Sequence, residues 1–281
     1  MAPQTDTTMS PGRSAAVPVT QPPRRGRGLL RGQIIFVIPA YNEEQDIGSL
    51  LEQTHAKMTE YEQPYQAVIV DDGSTDQTAR IVQQCASRMP VRAVPLRTHQ
   101  GVGAAFSVGL RTALAMIQDG DVVVTKEADN TSDLAILPSM IKHINEGADV
   151  VLASCYAKGG GVVGTTPLRR GLSSAANALL RFFFPMRSVS TYSSFYRAHT
   201  GAILKQAIET YGSRLLVEDG FVCMVELLVK LAALRIRIAE VPLVLRGDVR
   251  IGKSKMPVVR TMRDYVRFSL RNWRLWRRTN R

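Results

Sequence analysis

The chain has 281 residues, of which 45% are hydrophobic and 21% are charged. This composition is typical of a folded protein, and the length suits one large α/β domain with appendages. The 36 Lys and Arg residues against 24 Asp and Glu give a net charge of +12, which favours a polyanionic partner. Because the arginines cluster at the two ends and no aromatic-basic recognition motif occurs, we expect anionic lipid or phosphorylated substrates and no nucleic acid.

The cysteines, histidines and apolar runs exclude further classes. Cys85, Cys155 and Cys223 are far apart and odd in number, so we expect reduced thiols in a cytosolic compartment. Four scattered histidines argue against a histidine-based zinc site. No run approaches the roughly 18 to 20 apolar residues that a membrane-spanning helix needs. We therefore predict no transmembrane segment and a protein that is cytoplasmic and peripheral on the cytoplasmic face of the membrane.

Residues 1–31 form the first segment, which is rich in Pro, Ser, Thr, Gly and Arg and lacks the apolar core of a secretory signal. Such a composition cannot bury enough surface to offset the entropy lost on ordering, so it predicts a disordered tail. A solvated tail and a basic arm attracted to a membrane both fit this composition. The predicted α/β domain spans residues 32–257, and a final helix spans residues 258–281.

From Gln33 onward, short apolar runs end in polar turns. The predicted strands are "IIFVIPAYN", "AVIVDDGS", "VRAVPLR", "DVVVTKEAD" and "DVVLASCY". Continuous Val- and Ile-rich runs are typical of strands covered on both faces. The helices predicted between and after them are "NEEQDIGSLLEQTHAKM", with acids in its first turn, "STDQTARIVQQCASRM", capped by Ser74 or Asp76, "GVGAAFSVGLRTALAMI" and "LPSMIKHINEG". This alternation predicts an α/β fold with a doubly wound, mostly parallel sheet.

The second half of the chain is less regular. We expect a flexible loop in "AKGGGVVGTTP", a helix in "LRRGLSSAANALLRFFF", and a late strand in "IRIAEVPLVL". The stretch "EDGFVCMVELLVKLAAL" predicts an apolar helix opened by Glu218 and Asp219, and "RGDVRIGKSKMP" predicts a basic loop.

The final helix is the clearest amphipathic element. Its apolar side chains step by threes and fours (Val259, Met262, Val266, Leu270, Trp273, Trp276), and arginines do the same one position behind (Arg260, Arg263, Arg267, Arg271, Arg274, Arg278). A tryptophan-containing apolar stripe beside an arginine stripe fits a helix lying on a membrane surface. A helix docked on the protein's own core with its arginines in water fits the same pattern.

Acidic residues follow three of the predicted strands, and ligands bind beyond the carboxyl ends of parallel strands. Glu127 and Asp129 stand one residue apart in "VVVTKEADNTSD". Two carboxylates completed by substrate phosphates and water form a common Mg²⁺ or Mn²⁺ site. An isolated pair of this kind is more often a polar turn, but the acids on the two earlier strands favour a metal site.

The other two strand ends predict contacts with a nucleotide. Asp71 and Asp72 follow the second strand and can accept hydrogen bonds from a base or a ribose, and Tyr41 after the first strand offers a surface for base stacking. Glu43 is a further acceptor. Each of these residues could instead serve in a turn or a helix cap.

These stretches resemble a known family. In order and spacing, "VIPAYNEE", "VIVDDGSTDQT", "GVGAAFSVGLRTA", the acidic loop, "GGGVVG", "RIAEVPL" and "GKSKM" are similar to the family 2 glycosyltransferases, specifically the branch like dolichol- or polyprenyl-phosphate mannose synthase. The resemblance implies a GT-A (Rossmann-like) fold, a nucleotide-diphosphate-sugar donor, a divalent metal (Mg²⁺ or Mn²⁺) and inversion at the anomeric carbon.

The resemblance also implies roles for individual residues. The positions matching base contacts are Pro39, Tyr41, Glu43, and Asp71 or Asp72; those matching phosphate contacts are Arg169, Arg170, Ser174, Arg250, Lys253 and Lys255. Asp129 matches the last aspartate of the family's DxD motif and Glu127 the first. Because the side chain of Glu127 is longer, we expect Asp129 to bind the metal directly, and Glu127 to act through water or to reach the sugar.

Other departures surround the sugar and the acceptor. Thr131 stands where the family often has Gln, Cys155 replaces an arginine, and Phe195 replaces a glycine. They leave the sugar and the class of acceptor open.

Three functions therefore remain. The first is transfer of a hexose, from a GDP-mannose or UDP-glucose type of donor, to a polyprenyl phosphate at an anionic membrane surface; the acceptor phosphate is already a nucleophile and needs no base. The second is transfer to a hydroxyl of a soluble or cell-envelope acceptor, with Glu218 or Asp219 as the catalytic base. The third is a non-catalytic protein that binds a nucleotide sugar.

Overall fold

The computed structural model describes residues 28–251 and 256–279. Residues 1–27 of the predicted disordered tail lie outside the described residues. The end of that tail contacts the folded domain, because the backbone N–H of Leu30 donates to Gln63 Oε1 over 3.0 Å. This hydrogen bond ties Leu30 to the residue that follows the turn after the helix Ile47–Glu60.

Strands and helices alternate through the first half of the described chain. The strands are β1 (Ile34–Ala40), β2 (Tyr65–Asp71), β3 (Val91–Pro95), β4 (Val122–Thr125), β5 (Val150–Ser154), β6 (Gly161–Val163), β7 (Arg197–Thr200), β8 (Ile238–Pro242) and β9 (Val244–Arg246). The helices are α1 (Ile47–Glu60), α2 (Thr78–Ala86), α3 (Val102–Leu114), α4 (Leu137–Asn145), α5 (Pro167–Phe183), α6 (Gly201–Tyr211), α7 (Cys223–Ala232) and α8 (Val258–Thr279).

Seven of these strands form one sheet in the order β3-β2-β1-β4-β7-β5-β8, and β6 pairs with β9 in a small second sheet. β1 runs parallel to both β2 and β4, whereas β7 runs antiparallel to β4 and β5. This architecture confirms the predicted α/β fold with a mostly parallel sheet. The strand order reverses between β1 and β4, and a crevice for ligands opens at such a switch point.

The central strands are apolar on both faces because helices cover both faces of the sheet. In β1, Ile34, Phe36 and Ile38 pack into one core, while Ile35 and Val37 pack into the other. All five side chains are fully buried. Alternate residues point to opposite faces of a strand, so a continuous apolar run serves two cores at once.

Strand β7 was not predicted, because its sequence "RAHT" is polar. Its first residue, Arg197, is fully buried. The guanidinium donates to the carbonyls of Ser194, Met224 and Tyr192 over 2.7, 2.7 and 2.8 Å. Burial lowers the pKa of Arg197 to about 9. These three carbonyls satisfy the buried donors, which is the condition for placing an arginine inside a sheet.

Two predicted helix starts are wrong. α1 begins at Ile47 and has no acid in its first turn. α2 begins at Thr78 with Gln77 as its N-cap residue, so neither Ser74 nor Asp76 occupies the N-cap position. Asp76 still contributes there, because its Oδ1 accepts from the Thr78 N–H over 2.9 Å.

Three features of the second half also differ from the prediction. α7 begins at Cys223, so Glu218 and Asp219 lie in the loop before the helix and do not open it. The stretch expected to be a flexible loop contains β6, and the late strand is divided into β8 and β9. The divided strand matters for the site, because β9 leads into the basic loop.

Helix α8 docks on the protein's own core along one face. Tyr265, Phe268 and Trp276 are buried, and Phe184 of the α5 C-terminus contacts both Phe268 and Trp276, with ring centroids 5.7 and 5.8 Å apart. Only part of the predicted apolar stripe lies on the face of α8 that docks on the core. Within the described residues, no helix is long and apolar enough to cross a membrane.

Candidate active site

The first three acidic strand ends lie at one edge of the sheet, as predicted. Ala40 at the end of β1 pairs with Asp71 at the end of β2, and β4 lies on the other side of β1. Tyr41 therefore follows a strand at the switch point, with the acidic loop that follows β4 as its neighbour. The topology alone brings the predicted nucleotide and metal residues to one crevice.

The loops after β1 and β2 are bound to each other. The Asn42 N–H donates to Ser74 Oγ over 2.9 Å, and the Glu43 N–H donates to Thr78 Oγ1 over 2.8 Å. In return, the Thr75 N–H donates to Asn42 Oδ1 over 2.8 Å. Asn42 adopts a φ of 52°, a conformation that asparagine tolerates better than most residues. The loops after β1 and β2 are thus joined into one wall at this edge of the sheet.

Asp71 and Asp72 have different surroundings. Asp72 is buried, and its two oxygens accept from the N–H groups of Gln100 and Gly101 over 2.8 and 2.9 Å. Its Oδ2 is also 2.9 Å from His99 Nδ1. Asp71 Oδ1 accepts from the Ser74 N–H over 3.1 Å. Asp72 therefore holds the loop before α3 in place. The sequence alone could not distinguish this structural role from a role in binding the donor.

His99 is a site residue that the sequence analysis missed. Its ring stacks on Tyr41, with centroids 3.9 Å apart and planes inclined by 21°. Asp72 holds its Nδ1, and half of the His99 side chain is exposed. One face of Tyr41 is therefore covered by histidine. The position of His99 after β3 was a weak signal for this role, because nothing in the sequence around His99 indicates a contact with Tyr41.

The loop containing Glu218 and Asp219 packs on the N-terminus of α3. The Gly103 N–H donates to the Asp219 carbonyl over 2.8 Å. A Cβ on Gly103 would lie 1.9 Å from the Glu218 carbonyl oxygen. Glycine is therefore required at this position by the close approach of the two backbones.

The same loop is held from two further directions. Glu226 of α7 accepts from the N–H groups of Val217 and Glu218 over 2.8 and 2.9 Å. The Glu218 carboxylate forms an ion pair with Arg271 of α8, whereas the Asp219 residue is exposed. Of the two predicted bases, Glu218 is already engaged by a cation.

A buried lysine lies beneath the acidic loop. Lys126 follows the last residue of β4 and is fully buried. Its Nζ donates to the Ser132 carbonyl over 2.6 Å and lies 5.3 Å from the centre of the Tyr196 ring. Burial lowers the pKa of Lys126, and the charges of Glu127, Asp129 and Asp133 oppose that shift. This lysine was not predicted as a site residue.

Asp129 is nearly buried and has two protein partners. Thr131 Oγ1 donates to its Oδ1 over 2.6 Å, and Arg250 forms an ion pair with its Oδ2. Burial, and then the charge of Asp129, raise the pKa of Glu127 to about 7. Lys126 and Arg250 act in the opposite direction. The two carboxylates of the acidic loop therefore destabilise each other's charged form.

The acidic loop fits a divalent cation that is completed by substrate. No group of three or more metal-ligating His, Cys, Asp or Glu side chains occurs in residues 28–251 and 256–279. Glu127 and Asp129 would therefore supply two carboxylates, with phosphates and water filling the remaining positions. Mg²⁺ and Mn²⁺ prefer such oxygen ligands, and a cation would relieve the repulsion between the two carboxylates.

The predicted phosphate-contacting residues are divided between two elements. Arg250 reaches the acidic loop directly. Arg169, Arg170 and Ser174 lie in the first turns of α5, where Arg169 is half-buried and the other two are exposed. Lys253 and Lys255 lie outside the described residues.

The small sheet links both elements to the acidic loop. β6, which precedes α5, pairs with β9, and the N–H of Arg246 in β9 donates to the Thr131 carbonyl over 2.9 Å. The start of α5 and the basic loop are therefore tied to the site through the backbone.

Comparison with known proteins identifies the family. A sequence profile of glycosyl transferase family 2 matches residues 35–212, which is more than half of the chain. The chain therefore belongs to glycosyl transferase family 2. This membership confirms the predicted family.

Two curated relatives carry names from the predicted branch. The dolichol-phosphate mannosyltransferase of Pyrococcus furiosus is 28% identical over 245 residues, which cover 86% of this chain and 64% of the relative. The undecaprenyl-phosphate 4-deoxy-4-formamido-L-arabinose transferase of Proteus mirabilis is 35% identical over 121 residues, which cover 42% of this chain and 36% of the relative. The chain thus matches less than two thirds of the length of either relative.

Solved structures support the fold. Glucosyl-3-phosphoglycerate synthase of Mycobacterium tuberculosis, in complex with Mn²⁺, UDP and glucosyl-3-phosphoglycerate, superposes with a TM-score of 0.60 at 21% identity. The match covers 86% of this chain and 80% of that one. At this identity the likeness shows a shared GT-A fold.

Replacing Gly103 by alanine tests whether the Glu218–Asp219 loop depends on its contact with α3. We expect Gly103→Ala to lower the free energy of unfolding by about 1 to 3 kcal/mol, because the new Cβ must displace the Glu218 carbonyl. Gly171→Ala in α5 is the matched control, since a Cβ there meets nothing within 4 Å. Urea denaturation of both variants measures the effect, and equal stabilities would contradict the close packing.

Proposed function

We propose that this chain transfers a hexose, with inversion, from a nucleotide-diphosphate sugar to a polyprenyl phosphate at a membrane surface. The observation that carries the proposal is the meeting of three features at the switch point: the wall formed by the loops after β1 and β2, the carboxylate pair after β4, and Arg250. The names of the two curated relatives support a polyprenyl-phosphate acceptor.

The wall at the ends of β1 and β2 would bind the nucleoside. Asp71 is better suited than Asp72 to contact the base or ribose, because both oxygens of Asp72 are engaged by the loop before α3. Tyr41 and its stacked partner His99 would form one side of the base pocket. Pro39 and Glu43 remain proposed base contacts.

Basic residues and one serine would bind the diphosphate. Those proposed are Arg169, Arg170, Ser174, Arg250, Lys253 and Lys255. Arginine forks suit phosphate oxygens because two parallel hydrogen bonds form at once. A divalent cation, when bound, would neutralise the diphosphate and make it a better leaving group; Asp129 would hold it directly, and Glu127 would hold it directly or through water.

The acceptor phosphate needs no base, because it is already an anion at neutral pH. One of its oxygens attacks the anomeric carbon opposite the leaving group. The bond from that carbon to the diphosphate oxygen breaks, and the electron pair leaves with the nucleoside diphosphate. The protein's contribution is then to align the two phosphorylated substrates and to stabilise the negative charge that develops on the departing group.

An exposed surface on α5 and α8 supports placement at a membrane. Leu168 and Phe182 of α5 are 74% and 78% exposed, and Val259 and Leu270 of α8 are 84% and 62% exposed. Six arginines of α8 whose side chains the structure describes are also exposed: Arg260, Arg263, Arg267, Arg271, Arg274 and Arg277. Large apolar side chains beside arginines suit the headgroup region of an anionic membrane. The side chain of Arg278 lies outside the described residues.

Transfer to a hydroxyl is the second proposal, and the position of Asp219 favours it. Its side chain is exposed near the N-terminus of α3, at the same edge as the donor wall, and is thus better placed than Glu218 to accept a proton. A polyprenyl phosphate and a soluble alcohol would then compete for one space.

A transfer assay distinguishes these functions. We expect the protein to move labelled hexose from GDP-mannose or UDP-glucose to a short polyprenyl phosphate in the presence of Mg²⁺ or Mn²⁺. Asp129→Ala should lower this activity at least a hundredfold, as removal of a group that stabilises charge commonly does, whereas Asp219→Asn should leave lipid transfer within about threefold.

The other outcomes select the alternatives. Product found only on water-soluble acceptors, together with loss of activity in Asp219→Asn, would replace the lipid proposal by the hydroxyl one. Neither transfer nor donor hydrolysis with any sugar nucleotide would favour a non-catalytic binding protein. Full activity in Asp129→Ala would refute the metal assignment.

Membrane attachment can be tested with point variants, because truncating α8 would uncover the core beneath Phe268 and Trp276. Val259→Ser with Leu270→Ser should weaken binding to vesicles containing anionic lipid at least about a hundredfold, since each buried apolar side chain contributes about 1.5 to 3 kcal/mol and about 1.4 kcal/mol is a factor of ten. Arg263→Gln with Arg267→Gln should weaken binding about thirtyfold, because roughly 1 kcal/mol per arginine is about 2 kcal/mol for the pair.

The control removes the same charge elsewhere. Arg80→Gln with Arg111→Gln changes two exposed arginines of α2 and α3 and lowers the net charge equally. Vesicle sedimentation should show wild-type binding for this pair. Equal losses for both arginine pairs would indicate unspecific attraction and not a membrane-binding face.

A further inference from the structure

The ion pair between Arg250 and Asp129 occupies a position where a divalent cation would need a free carboxylate. Thr131 donates to one oxygen of Asp129 and Arg250 binds the other. The Asp129 side chain is 4% exposed and the Arg250 side chain 23% exposed. A largely buried carboxylate is thus neutralised by a protein cation.

This contact is supported by the fold ahead of Arg250. The Arg246 N–H donates to the Thr131 carbonyl, and the Gly247 N–H donates to the Val163 carbonyl, both over 2.9 Å. Arg246 and Asp248 form an ion pair at 2.6 Å. Arg250 therefore reaches Asp129 from a turn that is anchored to the acidic loop itself.

The positions of Arg250 and of a cation on Asp129 exclude each other electrostatically. A divalent ion bound to the same carboxylate would stand next to the guanidinium in a poorly solvated region, where like charges repel strongly. A donor diphosphate removes this conflict, because its oxygens can bind the cation and the guanidinium together. Arg250 then has an anionic partner other than Asp129.

We propose that Arg250 is the resident counterion of Asp129, that it opposes cation binding in the absence of donor, and that the donor diphosphate takes it over. Cation and nucleotide binding become mutually dependent, because a residue that blocks one ligand until the other arrives couples their affinities in both directions. The inference rests on the proposed function in one respect: a diphosphate must bind at this edge of the sheet.

The Arg250→Gln variant tests the proposal, because its affinities for Mn²⁺ and for the nucleotide should change in opposite directions. With MnCl₂ alone, isothermal titration calorimetry should show Mn²⁺ binding about tenfold more tightly than to the wild-type protein. With GDP or UDP in the presence of saturating Mn²⁺, the same variant should bind the nucleotide about tenfold more weakly. Both changes lie within the 5- to 150-fold range of ordinary coupling between sites.

Three further variants define the cause. Arg250→Lys keeps the positive charge and should retain most of the opposition to Mn²⁺. Arg246→Gln, in the same turn but paired with Asp248, should leave both affinities within about twofold of the wild-type values. Asp129→Asn should abolish the gain when it is combined with Arg250→Gln, because the gained site is Asp129 itself.

The results also separate this inference from the proposed function. If Mn²⁺ alone binds Arg250→Gln no more tightly than the wild type, or is undetectable in both, the counterion proposal is overturned, even if Mn²⁺ and nucleotide together bind normally. If Mn²⁺ binds neither protein in the presence of nucleotide, the cation part of the proposed function fails as well.

Discussion

The hydrogen bond from the buried Lys126 Nζ to the Ser132 carbonyl is the interaction on which the acidic loop depends. Glu127 and Asp129 follow Lys126 within three residues, and burial and the charge of Asp129 raise the pKa of Glu127, so a nearby positive charge stabilises both carboxylates. Lys126 supplies that charge from below and ties the loop together through the Ser132 carbonyl. Arg250 supplies a second charge from the solvent side. The acidic loop therefore lies between Lys126 and Arg250. An incoming diphosphate can bind only Arg250, because Lys126 is fully buried.

The sheet topology supplies the other constraint. Since β1 lies between β2 and β4, the loops after these strands are neighbours whatever the length of chain between them. The first two loops bind each other through hydrogen bonds, and the small sheet ties the basic loop to the third. The loops after β1 and β2 are thus joined by hydrogen bonds because their strands are adjacent in the sheet. By contrast, α5, α8 and the loop before α7 come together from distant parts of the chain.

That difference explains how much could be predicted from the sequence. Continuous apolar runs indicated the parallel strands correctly because both faces of the sheet are covered, and acids after three strands indicated the common edge. β7 escaped prediction because burial of Arg197 depends on carbonyls supplied by other segments. Glu218 and Asp219 resembled a helix start, but Glu226 accepts from the backbone of their loop, and α7 begins only at Cys223. Periodicity along α8 likewise could not show which part of its wide apolar face is docked.

We propose that the carboxylate pair, a divalent cation and the donor diphosphate meet at the switch point between β1 and β4. A crystal structure of the protein with Mn²⁺ and GDP or UDP, with anomalous differences recorded for manganese, tests it most directly. We expect one manganese peak within bonding distance of Asp129 and of the diphosphate, with the base beside Tyr41 and Asp71 and with Arg250 moved from Asp129 to a phosphate oxygen. A nucleotide bound elsewhere, or a diphosphate in this crevice while Arg250 remains on Asp129 and no manganese is present, would contradict it.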